Sequence, residues 1–212
     1  MQVKKQLFSN ITPLHQYIDA ANIVTCININ IGVFSILYSL LHKITLASIM
    51  IVAAAAIDHL DGWVARRYGS ANEAARQFGG HLDTLADELN FCVSPAAALL
   101  AVTGAETGAV VAAAAFIVAG LCRLAHFEIV GAVGGRIYSG LPTTYAGYVS
   151  AYVLTLLNGG AIGNEIAVTS FILLAFLEIS KIKVKKPSYF ITVGVLPFSF
   201  AVFCFLFIAM AP

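Results

Sequence analysis

Long apolar stretches separated by short polar segments run along the whole chain. Seven of them, as helices rising about 1.5 Å per residue, approach or exceed the roughly 30 Å of a membrane's hydrocarbon layer. They are predicted near residues 22–41, 45–66, 80–102, 107–127, 143–158, 165–180 and 188–210. The fifth and sixth are short for full spans, so we expect about six to eight transmembrane helices. The pattern predicts an all-α integral membrane protein, built as a polytopic helical bundle.

The composition agrees with this prediction. Of the 212 residues, 59% are hydrophobic and only 11% are charged, which leaves too much apolar surface for a soluble domain. The net charge is +1, and the basic residues are spread along a membrane interface, so nucleic-acid binding is not expected. Without internal repeats or linkers, residues 1–212 are predicted to form one domain.

Residues 1–20 are predicted to form a juxtamembrane segment. Within it, Thr12 can cap a short helix that begins at Pro13, with Leu14, Tyr17 and Ile18 on one face. Such a helix is amphipathic and would lie in the membrane interface. The first apolar stretch is too long for a cleavable signal, so none is expected.

The basic residues fall almost entirely on one side if the predicted spans alternate in direction. With a cytoplasmic N-terminus, only Lys43 lies outside. The positive-inside rule therefore favours a cytoplasmic N-terminus. We expect the membrane to be the inner membrane of a bacterial or archaeal cell. The residues then on the cytoplasmic side are Lys4, Lys5, Arg66, Arg67, Arg76, Arg123, Arg136, Lys181, Lys183, Lys185 and Lys186.

Four aspartates stand close together in this apolar chain. Asp58 and Asp61 are three residues apart on one predicted helix, and Asp83 and Asp87 are four apart on the next, so each pair shares a face. Unpaired carboxylates inside a membrane are costly, and few basic side chains lie nearby. Oxygen ligands from two helices suit Mg2+ or Mn2+, and four carboxylates can hold two such ions.

Small residues and an arginine accompany the aspartates. Gly62, Ala65, Gly79 and Gly80 leave room for a substrate or an opposing backbone, and Arg66 offers a donor fork for phosphate. Together with metal ions, this arrangement is typical of a pyrophosphate site. Two simpler interpretations remain open: a proton or cation relay, and buried acids paired with a basic partner.

The spacing DxxDGxxAR followed by GxxxDxxxD resembles the signature of the CDP-alcohol phosphotransferases. The resemblance implies a metal-dependent transferase that moves a phosphatidyl group from CDP-diacylglycerol to a small alcohol and releases CMP. It also implies a homodimer. The roles it implies are metal binding for Asp58, Asp61, Asp83 and Asp87, the general base for Asp87, and CDP or phosphate binding for Gly62, Ala65, Arg66 and Gly79.

Further segments resemble the phosphatidylserine synthase branch of that family, which implies serine as the acceptor. They are "NIVTCININIG", "GLCRLAHF" and "YSGLPTTYAG". Two residues depart from the branch: His126 stands where arginine is usual, and Glu178 stands where an apolar residue is expected. A third departure is from the family signature, since twelve residues rather than about eight separate Arg66 from Gly79. Glycerol 3-phosphate or inositol are the alternative acceptors.

Four residues are candidates to contact the acceptor or the lipid phosphate: Asn22, Thr25, Arg123 and His126. Asn22 and Thr25 either line a wet cavity or make hydrogen bonds between helices. Arg123 either binds an anion or snorkels to lipid headgroups. A lone histidine such as His126 is more often a hydrogen-bonded structural residue than a ligand or a base.

Two other classes of protein would also place carboxylates within membrane spans. A cation- or proton-coupled transporter would move its substrate without forming CMP. A non-catalytic lipid or metal binder would retain affinity without turnover. The transporter gives no reason for the DGxxAR grouping.

Overall fold

The computed structural model describes residues 17, 19–68, 73–131, 137–185, 188 and 190–209, without the side chains at 61–63, 65, 66, 68 and 208. The described chain is almost entirely helical. The predicted interfacial helix at Thr12 and Pro13 lies outside these residues. The α-helices are α1 (Ala20–Leu40), α2 (Ile44–Tyr68), α3 (Glu73–Asp87), α4 (Ser94–Thr103), α5 (Thr107–Val130), α6 (Thr143–Asn158), α7 (Asn164–Ile179) and α8 (Leu196–Ala209).

The helices follow the predicted spans closely. A π-helical segment, Glu88–Val93, joins α3 to α4, so the third predicted span is one long helix. It begins at Glu73, earlier than the predicted residue 80, because a polar amphipathic turn precedes the apolar stretch. The two short predicted spans form the separate helices α6 and α7. The bundle packs α1 along α2, α5 against α7, and α2 against α6.

Small residues bring the helices close together. Ala54 and Ala55 on α2 and Ala112 and Ala113 on α5 are buried in the core, and such residues allow close backbone approach in membrane bundles. Large apolar side chains instead cover the outside. Phe198 and Phe205 on α8, for example, are each 71% exposed. An apolar surface of this kind is suited to lipid, as expected for an integral membrane protein.

Three described helices are long and apolar enough to cross a membrane, judged by length and composition. They are Ala20–Leu40, Glu73–Thr103 and Thr107–Val130. Two shorter apolar stretches, Ile44–Leu60 and Ile191–Phe207, accompany them. The all-α membrane class is thus confirmed, and the exact number of spans stays a prediction.

Each of two π-helical segments ends two residues before a proline. Glu88–Val93 precedes Pro95, and Ile191–Val195 precedes Pro197. A proline has no N–H to donate to the preceding turn, and its ring crowds that turn, so a wider turn there relieves both problems. The first π segment begins directly after Asp87, and it therefore sets how the following turn faces α1.

A short antiparallel ribbon was not anticipated from the sequence. Its strands, β1 (Ile137–Ser139) and β2 (Lys183–Lys185), pair Tyr138 with Val184. They follow α5 and α7 respectively, so the pairing ties together the same end of both helices. Strands of only three residues are too short for their alternation of apolar and polar residues to be recognised in the sequence.

Gly140 makes the turn from this ribbon into α6. Its φ is +78°, and a Cβ there would lie 2.1 Å from the carbonyl oxygen of Glu178. Both observations require glycine, because side chains are disfavoured at positive φ and the space is already filled. Leu141 then donates to the Leu177 carbonyl at 3.0 Å. The GLP segment thereby holds the start of α6 against the end of α7.

Candidate active site

The aspartates come together from two helices. Asp58 lies on α2, whereas Asp83 and Asp87 lie on α3. The carboxyl groups of Asp58 and Asp87 are within hydrogen-bonding distance of each other, and Asp83 is within electrostatic range of Asp87. The structure therefore confirms that the two helices bring these carboxylates together. The side chain of Asp61 lies outside the described residues.

The cluster leaves acidic oxygens without partners. Among the described residues, the buried Oδ1 atoms of Asp83 and Asp87 have no hydrogen-bond partner. His59 approaches Asp58, with 3.5 Å between Nδ1 and Oδ2, but the same nitrogen lies 2.9 Å from the Ala55 carbonyl oxygen. Desolvated, mutually repelling carboxylates are costly unless a cation or a shared proton neutralises them.

These acidic groups fit a hard divalent cation chemically. They supply carboxylate oxygens alone, from two rigid helices, which is the ligand type that Mg2+ and Mn2+ prefer. Among the side chains that the structure describes, no group of three histidine, cysteine or acidic residues is arranged to hold a metal. The predicted set includes Asp61, whose side chain is not among them. Metal binding by the four aspartates therefore stays a prediction.

The predicted CDP-binding residues are only partly described. The side chains of Gly62, Ala65 and Arg66 lie outside the description, and their contacts stay predictions. Close packing explains why position 79 is a glycine, because a Cβ there would lie 2.4 Å from Asn22 Oδ1. At the neighbouring Gly80, nothing lies within 4 Å of an added Cβ. Gly79 thus lets α3 approach α1 closely.

Asn22 and Thr25 make local and interhelical hydrogen bonds. The Asn22 amide donates to the Ala75 carbonyl at 3.5 Å, which links α1 to α3. Thr25 Oγ1 donates to the Ala21 carbonyl at 3.2 Å within α1. These bonds favour the packing interpretation of the two residues. Their contact with a substrate stays a prediction.

Arg123 lies inside the bundle rather than at its surface. Only 8% of the residue is exposed. Its guanidinium carbon is 5.0 Å from the Phe127 ring centroid and 5.8 Å from that of Tyr138, so two rings hold it. Asp87 and Glu178 both lie within its electrostatic range. A snorkelling arginine would be exposed, so the structure favours the alternative of an internal anion site.

A cavity of about 640 Å3 opens beside Arg123, between α5, the end of α7 and the ribbon. His126, which is exposed, shares this cavity, so the structure brings together two of the residues predicted to contact the acceptor. Residues that line it include Arg123, His126, Tyr138, Ser139, Glu178 and Lys183. It is therefore a candidate site for an acceptor with at least one anionic group.

Two neighbours of the aspartates were not predicted from the sequence. Glu128 on α5 lies within electrostatic range of Asp83 and accepts a hydrogen bond from the Thr84 hydroxyl. Tyr148 on α6 is near Asp58, and its hydroxyl donates to the Thr192 carbonyl at 2.9 Å. No spacing in the sequence connects these residues to the aspartate signature, because they come from distant helices.

Sequence comparison identifies relatives with similar chains. An archaetidylserine synthase from Methanothermobacter thermautotrophicus is 30% identical over 66% of this chain and 59% of its own length. A CDP-diacylglycerol–serine O-phosphatidyltransferase from Methanocaldococcus jannaschii is 32% identical over 82% of this chain and 77% of its own. One from Helicobacter pylori is 32% identical over 56% of this chain and 48% of its own.

The alignment thus spans only about three fifths of the first of these relatives. A profile of the family described as CDP-alcohol phosphatidyltransferase matches residues 18–180. That region contains α1 to α7, the aspartate cluster and most of the residues that line the cavity. The chain therefore belongs to the CDP-alcohol phosphatidyltransferase family.

Proposed function

We propose that the protein transfers a phosphatidyl group from CDP-diacylglycerol, or an ether-linked equivalent, to the hydroxyl of L-serine. The products are phosphatidylserine, or its ether-lipid equivalent, and CMP. One observation carries the proposal: Asp58 and Asp87 meet from two helices in a family whose chemistry is transfer from CDP-alcohols. The named relatives that act on serine support the choice of acceptor.

In the proposed reaction, the serine hydroxyl oxygen attacks the phosphorus that carries the lipid. The bond from this phosphorus to the bridging oxygen breaks, and CMP leaves with the electron pair. Asp87 accepts the hydroxyl proton, which requires it to reach the acceptor directly or through one water. The unpartnered Oδ1 of Asp87 supports this role, since the atom has lone pairs that no described residue uses.

Asp58, Asp61, Asp83 and Asp87 are proposed to hold one or two Mg2+ or Mn2+ ions. Bound there, such ions would neutralise charge on the pyrophosphate and on the departing CMP. Arg66 is proposed to contact the CDP phosphates, alongside Gly62, Ala65 and Gly79. Partial burial of Asp58, Asp83 and Asp87 limits the access of water, which would otherwise compete with serine for the activated phosphorus.

The site is proposed to lie at the cytoplasmic face of the cell membrane, with the protein as a homodimer. The positive-inside rule supports the orientation, because the ribbon and the ends of α5 and α7 carry Arg123, Lys181, Lys183 and Lys185. Such a site takes the lipid from the leaflet and serine from the cytosol. The dimer rests on the resemblance to the family.

The test is a transfer assay on purified protein in detergent or lipid. CDP-diacylglycerol and a CDP-activated ether lipid are each supplied with Mn2+ or Mg2+ and one acceptor: serine, glycerol 3-phosphate, inositol or ethanolamine. CMP release and the lipid product are measured. Serine-dependent CMP with a serine-containing lipid is expected. CMP with another acceptor would reassign the acceptor, and no CMP under any condition would contradict the transferase.

A further inference from the structure

Glu178 is a buried acid that the proposed mechanism does not use. It lies on α7 with 1% of its surface exposed. Neither of its carboxyl oxygens has a hydrogen-bond partner among the residues that the structure describes. Fully satisfied buried acids are the rule in proteins, so an acid left in this state points to a missing ligand.

The surroundings hold Glu178 in place. Its carbonyl oxygen meets Gly140, where no side chain would fit, and the carboxylate lies against α5, with Oε1 3.6 Å from a Cβ built on Gly120. Gly120 precedes Arg123 by about one helical turn. The carboxylate and the guanidinium are therefore neighbours on adjacent helices, set there by rigid backbone contacts.

Glu178 and Arg123 line the same cavity without pairing. Arg123 lies within electrostatic range of Glu178 but donates no hydrogen bond to it. The guanidinium is held by the rings of Phe127 and Tyr138 instead. One cavity thus presents a guanidinium group and a carboxyl group whose oxygens bond to no described residue, and Arg123 also lies within electrostatic range of Asp87.

This separated pair of charges matches a zwitterion. An α-amino acid carries an ammonium group and a carboxylate on one carbon atom, so it can satisfy both charges at once. An acceptor phosphate would instead meet Glu178 as a like charge and be disfavoured. An alcohol without charge would leave both protein groups desolvated and unpaired. The cavity is therefore suited both to binding an amino acid and to selecting it over acceptors that carry a phosphate or no charge.

We propose that Glu178 binds the ammonium group of the amino-acid acceptor while Arg123 binds its carboxylate, which makes Glu178 a specificity-determining residue. The inference rests on the proposed function. This role would also explain why Glu178 is an acid at a position where the resemblance to the branch predicts an apolar residue. Arg123 lies within electrostatic range of Asp87, so an acceptor bound to Arg123 would lie near the proposed general base.

The experiment measures KM and kcat of the Glu178→Gln variant with serine in the CMP-release assay. Glutamine keeps the size of the side chain and removes its charge, so the KM for serine should rise about tenfold or more, with a smaller change in kcat. Glu165→Gln is the matched control, because Glu165 is exposed on the same helix. The control should retain wild-type kinetics.

A second measurement uses alternative acceptors. Glycerate replaces the ammonium of serine by a hydroxyl, and serinol replaces the carboxylate by a hydroxymethyl group. Wild-type protein should prefer serine over glycerate by about 100-fold or more in kcat/KM, and Glu178→Gln should reduce that preference about tenfold. A purely structural role for Glu178 would lower activity on both acceptors alike.

The outcomes separate the two proposals. Wild-type turnover of serine with an unchanged serine KM in Glu178→Gln would overturn the inference and leave the proposed function intact. If the variant does not fold, the wild type decides, because comparable kcat/KM for serine and glycerate would equally overturn it. Turnover of another acceptor without turnover of serine would overturn both proposals.

Discussion

The carboxyl groups of Asp58 on α2 and Asp87 on α3 lie within hydrogen-bonding distance of each other. Two carboxylates so close need either a shared proton or a bound cation, because like charges repel strongly in a medium of low dielectric. The position of Asp87, the proposed general base, therefore depends on the proton or cation that neutralises Asp58. Five predictions follow from this site and from the packing that supports it.

Replacing Asp87 by asparagine should abolish turnover. The change keeps the shape of the side chain but removes its ability to accept the serine proton, so we expect at least about a 100-fold loss of kcat. CMP release measures the rate, and CDP-lipid binding should be largely retained. Glu73→Gln is the control, since Glu73 is exposed at the start of the same helix. Near-wild-type turnover in Asp87→Asn would remove Asp87 from the mechanism.

Asp58→Asn tests the divalent cation without an activity assay. A ligand that binds the folded state stabilises it, so Mn2+ should raise the thermal midpoint of wild-type protein, by about 2–4 °C for each kcal/mol of stabilisation. The Asp58→Asn variant should lose most of that rise. The measurement is thermal unfolding in detergent with EDTA and with Mn2+. An equal rise in both proteins would show that Asp58 does not hold the ion.

Arg123→Lys should weaken acceptor binding although it keeps the positive charge. Lysine cannot offer the planar donor fork or contact the rings of Phe127 and Tyr138 in the same way. We expect the KM for serine to rise about tenfold and the KM for CDP-lipid to change less. Arg76→Lys, at an exposed arginine, is the control. Unchanged KM values for both substrates would make Arg123 a structural residue only.

Gly140→Ala should destabilise the protein more than Gly104→Ala. Both glycines have positive φ, at +78° and +67°, so alanine adds backbone strain at either position, about 1–2 kcal/mol in the left-handed region. Only at Gly140 does the new Cβ also collide with the carbonyl oxygen of Glu178. Thermal unfolding should show the larger loss, and the serine KM should rise in Gly140→Ala alone. Equal effects would show that the close approach is unimportant.

Adjacent glycines on α3 allow a similar comparison. Gly79→Ala places a methyl group against the Asn22 amide, so it should separate α3 from α1 and lower both stability and turnover. Gly80→Ala meets nothing within 4 Å, and alanine favours the helix over glycine by about 1 kcal/mol, so it should be neutral or stabilising. Thermal unfolding and CMP release measure both. A neutral Gly79→Ala would contradict the packing role.

Much of the fold could be predicted from local pattern. Apolar stretches long enough to span a membrane predicted helices that the structure places close to the expected bounds. The spacing of Asp58, Asp83 and Asp87 predicted which faces would carry acid, because helical geometry fixes neighbours three and four residues apart. The family resemblance was likewise carried by short segments, and the comparisons confirm it.

The tertiary structure decided what the local pattern does not contain. The Asp58–Asp87 contact, the contacts of Arg123 with two aromatic rings and the cavity shared with Glu178 each depend on how distant segments pack. Glu178 appeared in the sequence only as an acid at an apolar position. Gly140 appeared only as part of a GLP segment, and its need for glycine arises from the backbone of α7.

The sequence by itself determined the helices, their apolar surface and the faces that carry the aspartates, because these depend on residues close together in the chain. Only the tertiary structure decided which charges meet, since contacts between helices depend on side-chain volume, on close approach at glycine and on turns set by proline. The tertiary structure also decided the pairing of the two three-residue strands, because strands more than forty positions apart leave no local signal in the sequence.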